Sequence, residues 1–106
     1  MSSSKPSHYK LTPQALTDLD DIWRYTAETW SLDQADSYID SLTQCLDTLV
    51  IMPSMAREYH EFDPPVRIHT FKEHLIVYLV TNDHLTIVRL LGGSQNWRAI
   101  LDAVRN

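Results

Sequence analysis

Apolar residues recur with a helical period over two early stretches of the chain. Between Pro13 and Thr29, Leu16, Leu19, Ile22, Trp23 and Ala27 share one face, and Asp18, Asp20, Asp21 and Glu28 are left mostly toward water. Thr12 is placed to cap this helix, and Pro13 suits its first position because its missing N–H has no helical partner to lose. After Trp30, Ser31 followed three residues later by Gln34 makes a capping box. Ala35, Tyr38, Ile39, Leu42, Leu46, Leu49 and Val50 then form a second stripe, which Pro53 stops at Met52. So short a turn forces the two helices antiparallel, as an αα-hairpin.

Residues 53 to 65 hold Pro53, Pro64 and Pro65 without a sustained period and read as a connector. The period then becomes two. Val66–Phe71, His74–Val80 and Leu85–Leu91 are the predicted strands, joined by hairpin-length separators into an antiparallel meander. The middle strand is apolar on both faces, as expected of a central strand covered by the helices. His8–Leu11 predicts a short edge strand ahead of the hairpin. Gly92-Gly93 ends the last strand, and Ser94 or Asn96 can cap a short final helix bearing Trp97, Ile100, Leu101 and Val104 on one face. The expected class is therefore α+β: a short N-terminal strand, an αα-hairpin packed on an antiparallel meander, and a short C-terminal helix. Residues 1–7 read as a disordered tail and 8–106 as a single domain.

With 106 residues, 43% of them hydrophobic and 22% charged, the chain is suited to one core. Its single cysteine, Cys45, rules out an internal disulfide. With no long apolar run and no signal-like start, the sequence reads as cytoplasmic and without a membrane anchor. The two glycines, Gly92 and Gly93, are adjacent, so neither a P-loop nor a dinucleotide fingerprint can be written, and no cofactor is expected. Residues 1 to 50 hold eight acidic against three basic side chains, whereas residues 51 to 106 hold six of each. Scattered cations of this kind argue against broad nucleic-acid binding.

Five histidines raise the question of a metal, but the sequence offers no convergent set of three or four ligands, and no metal site is expected. Asp18, Asp20 and Asp21, or Glu58, Glu61 and Asp63, pair carboxylates without the burial that tuning requires, so they read as solvated. Cys45 lies near the stripe of the second helix and reads as a small buried hydrophobe. Arg67 and Arg89 sit inside strand patterns. Each either pairs with an acid, such as one of the hairpin, or faces a binding groove. Trp23, Trp30 and Trp97 serve as core or as interface anchors.

The run Leu11-Thr12-Pro13-Gln14-Ala15, then Asp20 through Trp30, then Gln34-Ala35 and Tyr38-Ile39, closely resembles the helical hairpin of the ParE toxins of bacterial toxin–antitoxin modules. Val66-Arg67, His74-Leu75-Ile76-Val77-Tyr78 and Ile87-Val88-Arg89-Leu90-Leu91-Gly92 continue the likeness through the sheet, so that it spans about residues 9 to 101. It implies the fold of the ParE/RelE superfamily and the toxin component of a type II module. RelE-like members are ribosome-dependent, metal-independent mRNA nucleases that stabilise phosphate charge with Lys and Arg. Here Leu75 stands where those enzymes place an arginine, Gly93-Ser94-Gln95 where they place basic residues, and the connector offers Arg57 and His60 but no lysine.

No catalytic set is therefore expected. The ParE branch implies a toxin that acts by binding, with DNA gyrase as target, in a hetero-oligomer with a ParD-like antitoxin that neutralises it. In that reading Trp23, Trp30, Tyr38, Arg67 and Arg89 bind the antitoxin, and Arg67, Arg89 and Trp97 bind the target. Two alternatives remain. One is a RelE-like endoribonuclease using Arg57, His60, Arg67 and Arg89; the other is a non-toxic interaction module that keeps the fold.

Overall fold

Thr12 and Ser31 start the two long helices where the sequence places them. In the computed structural model, which describes residues 6–105 and side chains as far as residue 103, these are α1 (Pro13–Thr29) and α2 (Leu32–Ile51). Residues 1–5 of the expected tail, and the side chain of Val104 expected on the last helix, lie outside the described part. Thr12 Oγ1 accepts the Ala15 N–H at 3.0 Å and donates to the Val88 carbonyl at 2.8 Å. One hydroxyl thus caps a helix and ties it to the sheet. Ser31 Oγ accepts the Gln34 N–H at 3.0 Å.

The strands are β1 (His8–Leu11), β2 (Glu58–Tyr59), β3 (Val66–Phe71), β4 (His74–Val80) and β5 (His84–Gly92), followed by α3 (Trp97–Arg105). They form one sheet in the order β1-β5-β4-β3-β2. The expected meander is β3-β4-β5, antiparallel throughout, and β1 lies on one edge, parallel to β5. On the other edge is β2, antiparallel to β3. It falls in the stretch read as a connector, because two residues are too short to carry a period.

Between the pairs Tyr78↔Ile87 and Val77↔Arg89, Val88 is an extra residue in β5. Such a bulge shifts the alternation that assigns side chains to faces. Leu85 and Ile87 therefore face the hairpin before it and Leu90 after it, in a core with Ile22, Leu42, Leu46, Leu49, Ile76 and Tyr78. On the opposite face Val77, Val66, Leu91, Phe62 and Leu101 form a smaller core beneath α3. Both faces of β4 are covered along Ile76–Tyr78, which accounts for the apolar run from Leu75 after His74. Asn96 Oδ1 accepts the Ala99 N–H at 3.4 Å, and so it is Asn96 that caps α3.

The rotation of α1 differs from the reading of its stripe. Leu16, expected in the core, is 54% exposed, and the buried positions are Ala15, Ile22 and Thr26. Asp18, expected in water, belongs to that same inward row at i, i+3 and i+7 from Ala15. The contacts of Thr12 and Asp18 with β5 set this rotation.

Thr12→Val removes both the cap and the bond to Val88. Urea unfolding is expected to show a loss of about 1–2 kcal/mol with an unchanged m-value, and Thr12→Ser to recover most of it.

Candidate functional site

On the hairpin face, Arg89 Nε and Nη2 donate to Asp18 Oδ2 and Oδ1 at 2.8 and 2.9 Å, a bidentate pair. The Leu90 N–H donates to the same Asp18 Oδ2 at 2.9 Å. The side chains are only 16% exposed for Arg89 and 11% for Asp18. The hydrogen bond to Asp18 raises the Arg89 pKa further. Of the two roles open to Arg89 in the sequence, the side chain takes the pairing with an acid of the hairpin.

Arg67 stands across β4 from Arg89: it is opposite Tyr78, and Arg89 is opposite Val77. The two guanidinium groups do not converge. Arg67 Nη1 donates to the Ala56 carbonyl at 2.6 Å, and between the arginines the buried Tyr78 hydroxyl donates to the Pro53 carbonyl at 2.8 Å. Burial raises the Tyr78 pKa, so the phenol keeps its proton. Arg67 also lines a cavity of about 440 Å³ with Pro53, Glu58, Pro65 and Thr81. Arg57 stacks over the Tyr59 ring at 4.6 Å, and His60 Nε2 lies 3.2 Å from Glu58. Each member of the nuclease alternative thus has a contact within the chain, with Arg57 and His60 exposed and Arg67 bordering the cavity.

Tyr38 reaches from α2 to the β3–β4 turn. Its hydroxyl lies 2.7 Å from His74 Nδ1, and its ring meets Phe71 edge-on at 5.6 Å. Burial raises the Tyr38 pKa and lowers that of His74, the latter opposed by Glu73. A protonated phenol donates to Nδ1, which leaves the proton of the neutral ring on Nε2. His74, Tyr25 and Gly92 are shared by two adjoining cavities of about 500 and 530 Å³ at this end of the sheet.

The tryptophans are separated. Trp23 Nε1 donates to Asp36 at 2.9 Å across the hairpin, whereas Trp30 is 74% exposed at its tip. Trp97 lies on the other face of the sheet, edge-on to Tyr59 at 5.4 Å and beside Phe62, where it docks α3. The six residues expected to bind partners therefore occupy both faces rather than one patch. Sequence reading missed Asp18, whose spacing from Ala15 and Ile22 was the available signal. It also missed Tyr25, exposed beside the His74 cavities, and the exposed Ile51, Met52 and Met55 at and just beyond the end of α2, where no period marks the exposure. Cys45 is partly buried, and burial raises its pKa. Among the described residues no three His, Cys, Asp or Glu side chains are placed to hold a metal, and no helix is long and apolar enough to cross a membrane.

Asp18→Ala leaves a buried guanidinium and the Leu90 N–H without their acceptor. A loss of about 3–5 kcal/mol is expected in denaturant unfolding, with a smaller loss in Asp18→Asn, which keeps an oxygen acceptor. His74 adds a pH dependence. Its folded pKa lies below the ordinary 6.5, so the unfolded chain takes up the proton first as pH falls. Its contribution to stability is whole above 6.5 and drains away as the pH drops through the lower folded value. Urea midpoints at pH 7.5 and 5.5 should separate more in the parent chain than in His74→Gln.

Comparison with known proteins places this arrangement. Residues 9–97 match the family model described as the ParE toxin of type II toxin–antitoxin system, parDE. A Mycobacterium tuberculosis protein named Toxin ParE1 is 33% identical over 86 residues, covering 80% of this chain and 88% of that protein. Toxin ParE1 of Caulobacter vibrioides is 31% identical over 93 residues, covering 88% and 96%. The fold is also that of a solved chain titled as the chromosomal ParDE TA system from P. aeruginosa, with a TM-score of 0.72 at 18% identity over 85% of this chain and 98% of that one. A hairpin clamped by an aspartate onto a bulged, arginine-bearing strand is thus built on a sequence that belongs to the ParE toxin family of type II toxin–antitoxin systems.

Proposed function

We propose that this toxin acts by binding, with DNA gyrase as its target, and that a cognate ParD-like antitoxin neutralises it in a hetero-oligomer. One observation carries the reading. The arginines that phosphate chemistry requires are held by other protein groups, Arg89 by Asp18 and Arg67 by the Ala56 carbonyl, so what the molecule offers a partner is surface. Exposed aromatic and apolar groups on the hairpin, Trp30 foremost, suit a partner segment that orders as it binds. In this reading Trp23, Trp30 and Tyr38 serve the antitoxin and Trp97 the target, while Arg67 and Arg89, of the residues the sequence offered for both roles, hold the strands in place through Ala56 and Asp18. The chain works in the cytoplasm, where gyrase is.

Purified chain mixed with gyrase and supercoiled plasmid is expected to trap cleaved DNA. Unaltered supercoiling at stoichiometric excess would remove gyrase as target, and cleavage of a translated message would move the protein to the nuclease branch. Trp30→Ala, at an exposed site, is expected to leave the fold intact. It should weaken binding of the cognate antitoxin by about tenfold or more, as titration calorimetry would measure.

A further inference from the structure

We infer that His8 and His84, side by side where β1 joins the sheet, chelate a late first-row divalent ion of the zinc, nickel and copper class through their two Nε2 atoms. Backbone register creates the pair. His8 is the partner of His84 in the parallel ladder of β1 and β5, and the rings stack with centroids 5.6 Å apart and planes 25° from parallel. Tyr9, Leu11, Leu85 and Ile87 pack in the hairpin-side core, so alternation turns both histidines to the opposite face. His8 is exposed and the His84 side chain 20% exposed, which leaves the pair open to a hydrated ion.

Hydrogen bonds fix which nitrogen of each ring is free. Asp83 Oδ1 lies 2.7 Å from His84 Nδ1, and this hydrogen bond holds the Asp83 carboxyl below its ordinary pKa. A carboxylate only accepts, so Nδ1 carries the proton. The Thr81 hydroxyl, 3.1 Å from the same nitrogen, donates its own proton to the His84 carbonyl at 2.8 Å and can only accept from the ring. Ser7 repeats the device on the other ring: its hydroxyl donates to the Asp83 carbonyl at 3.2 Å and therefore accepts from His8 Nδ1 at 2.9 Å. In each neutral imidazole the lone pair is left on Nε2, the nitrogen a metal takes. His84 also has the carboxylate partner that raises the basicity of metal-bound histidines. Plain stacking requires no such agreement between two tautomers. Rings on adjacent strands need only turn about their side-chain bonds to bring both Nε2 atoms to about 2.0–2.1 Å from one ion. Imidazole selects zinc, nickel or copper over magnesium, and water completes the coordination. Of the charges on this edge, Lys10 opposes the ion and Asp83 favours it. The ion ties β1 to β5 just ahead of Thr12, where the hairpin is attached.

The test titrates the untagged, ¹⁵N-labelled full chain with zinc chloride and follows the imidazole nitrogens by NMR. One equivalent is expected to shift His8 and His84, Nε2 most, before His60, His69 or His74, and magnesium chloride to shift none of them. His8→Gln or His84→Gln should weaken zinc binding about tenfold or more, and Asp83→Ala about tenfold, with hairpin resonances in place. Zinc should raise the urea midpoint of the parent chain and not that of either histidine variant. Equal shifts at all five histidines, a first shift at His60 or His74, or parental affinity in His8→Gln would each overturn the proposal. His8, Asp83 and His84 are not among the residues assigned to antitoxin or target, so a failed gyrase assay leaves this site standing, and the reverse.

Discussion

The extra residue at Val88 interrupts the β4–β5 ladder, and the backbone groups and redirected arginine around it need partners from outside the sheet. α1 supplies them. Thr12 accepts nothing from β5 but donates to it twice, by its N–H to the Ile87 carbonyl at 3.1 Å and by its hydroxyl to the Val88 carbonyl at 2.8 Å. One turn and a half later, Asp18 receives the Arg89 guanidinium and the Leu90 N–H on two oxygens. A helix held at two points a short distance apart cannot rotate or slide on its strand. The position of α2, and so of every hairpin side chain a partner meets, follows from that attachment.

The same attachment decides what the arginines can do. In a sheet with apolar cover on both faces, a charged side chain must find an acid or a carbonyl. Arg89 finds Asp18 and Arg67 finds Ala56, on either side of a tyrosine that is itself tied to Pro53. A phosphate entering between them would have to displace protein acceptors already at 2.6 to 2.9 Å.

Most of the fold was legible because each element carries its own punctuation: Thr12-Pro13 and Ser31 at the helix starts, Pro53 after the second stop, alternation through β3 to β5, and Gly92-Gly93 at the end. Three features were not. β2 has two residues and no pattern of its own. The bulge leaves no mark in a run of apolar residues, because Val88 suits either face. Asp18 was read by polarity, and polarity assigns a lone carboxylate in an amphipathic helix to water. Only its register with Ala15 and Ile22 points inward, and its partner lies 71 residues away. The candidate site was less legible than the fold for that reason. Strand arginines announce themselves, but whether they are spent on structure is settled by long-range pairing that no local period encodes.

Charge is divided unevenly over the surface that results, and the division bears on how a partner must be built. Asp20, Asp21, Glu28, Asp33, Asp36, Asp40 and Asp47 are exposed on the hairpin, where Arg24 alone answers two of them. Arg67, His69 and Lys72 mark the far edge of the sheet. The two regions present different surfaces, acidic with exposed Trp30 along the helices and carrying Arg67 and the exposed Lys72 at the sheet edge. An uneven charge distribution of this kind discriminates between partners, because a mismatched one sets like charge against like, and charge complementarity contributes to specificity more than to affinity.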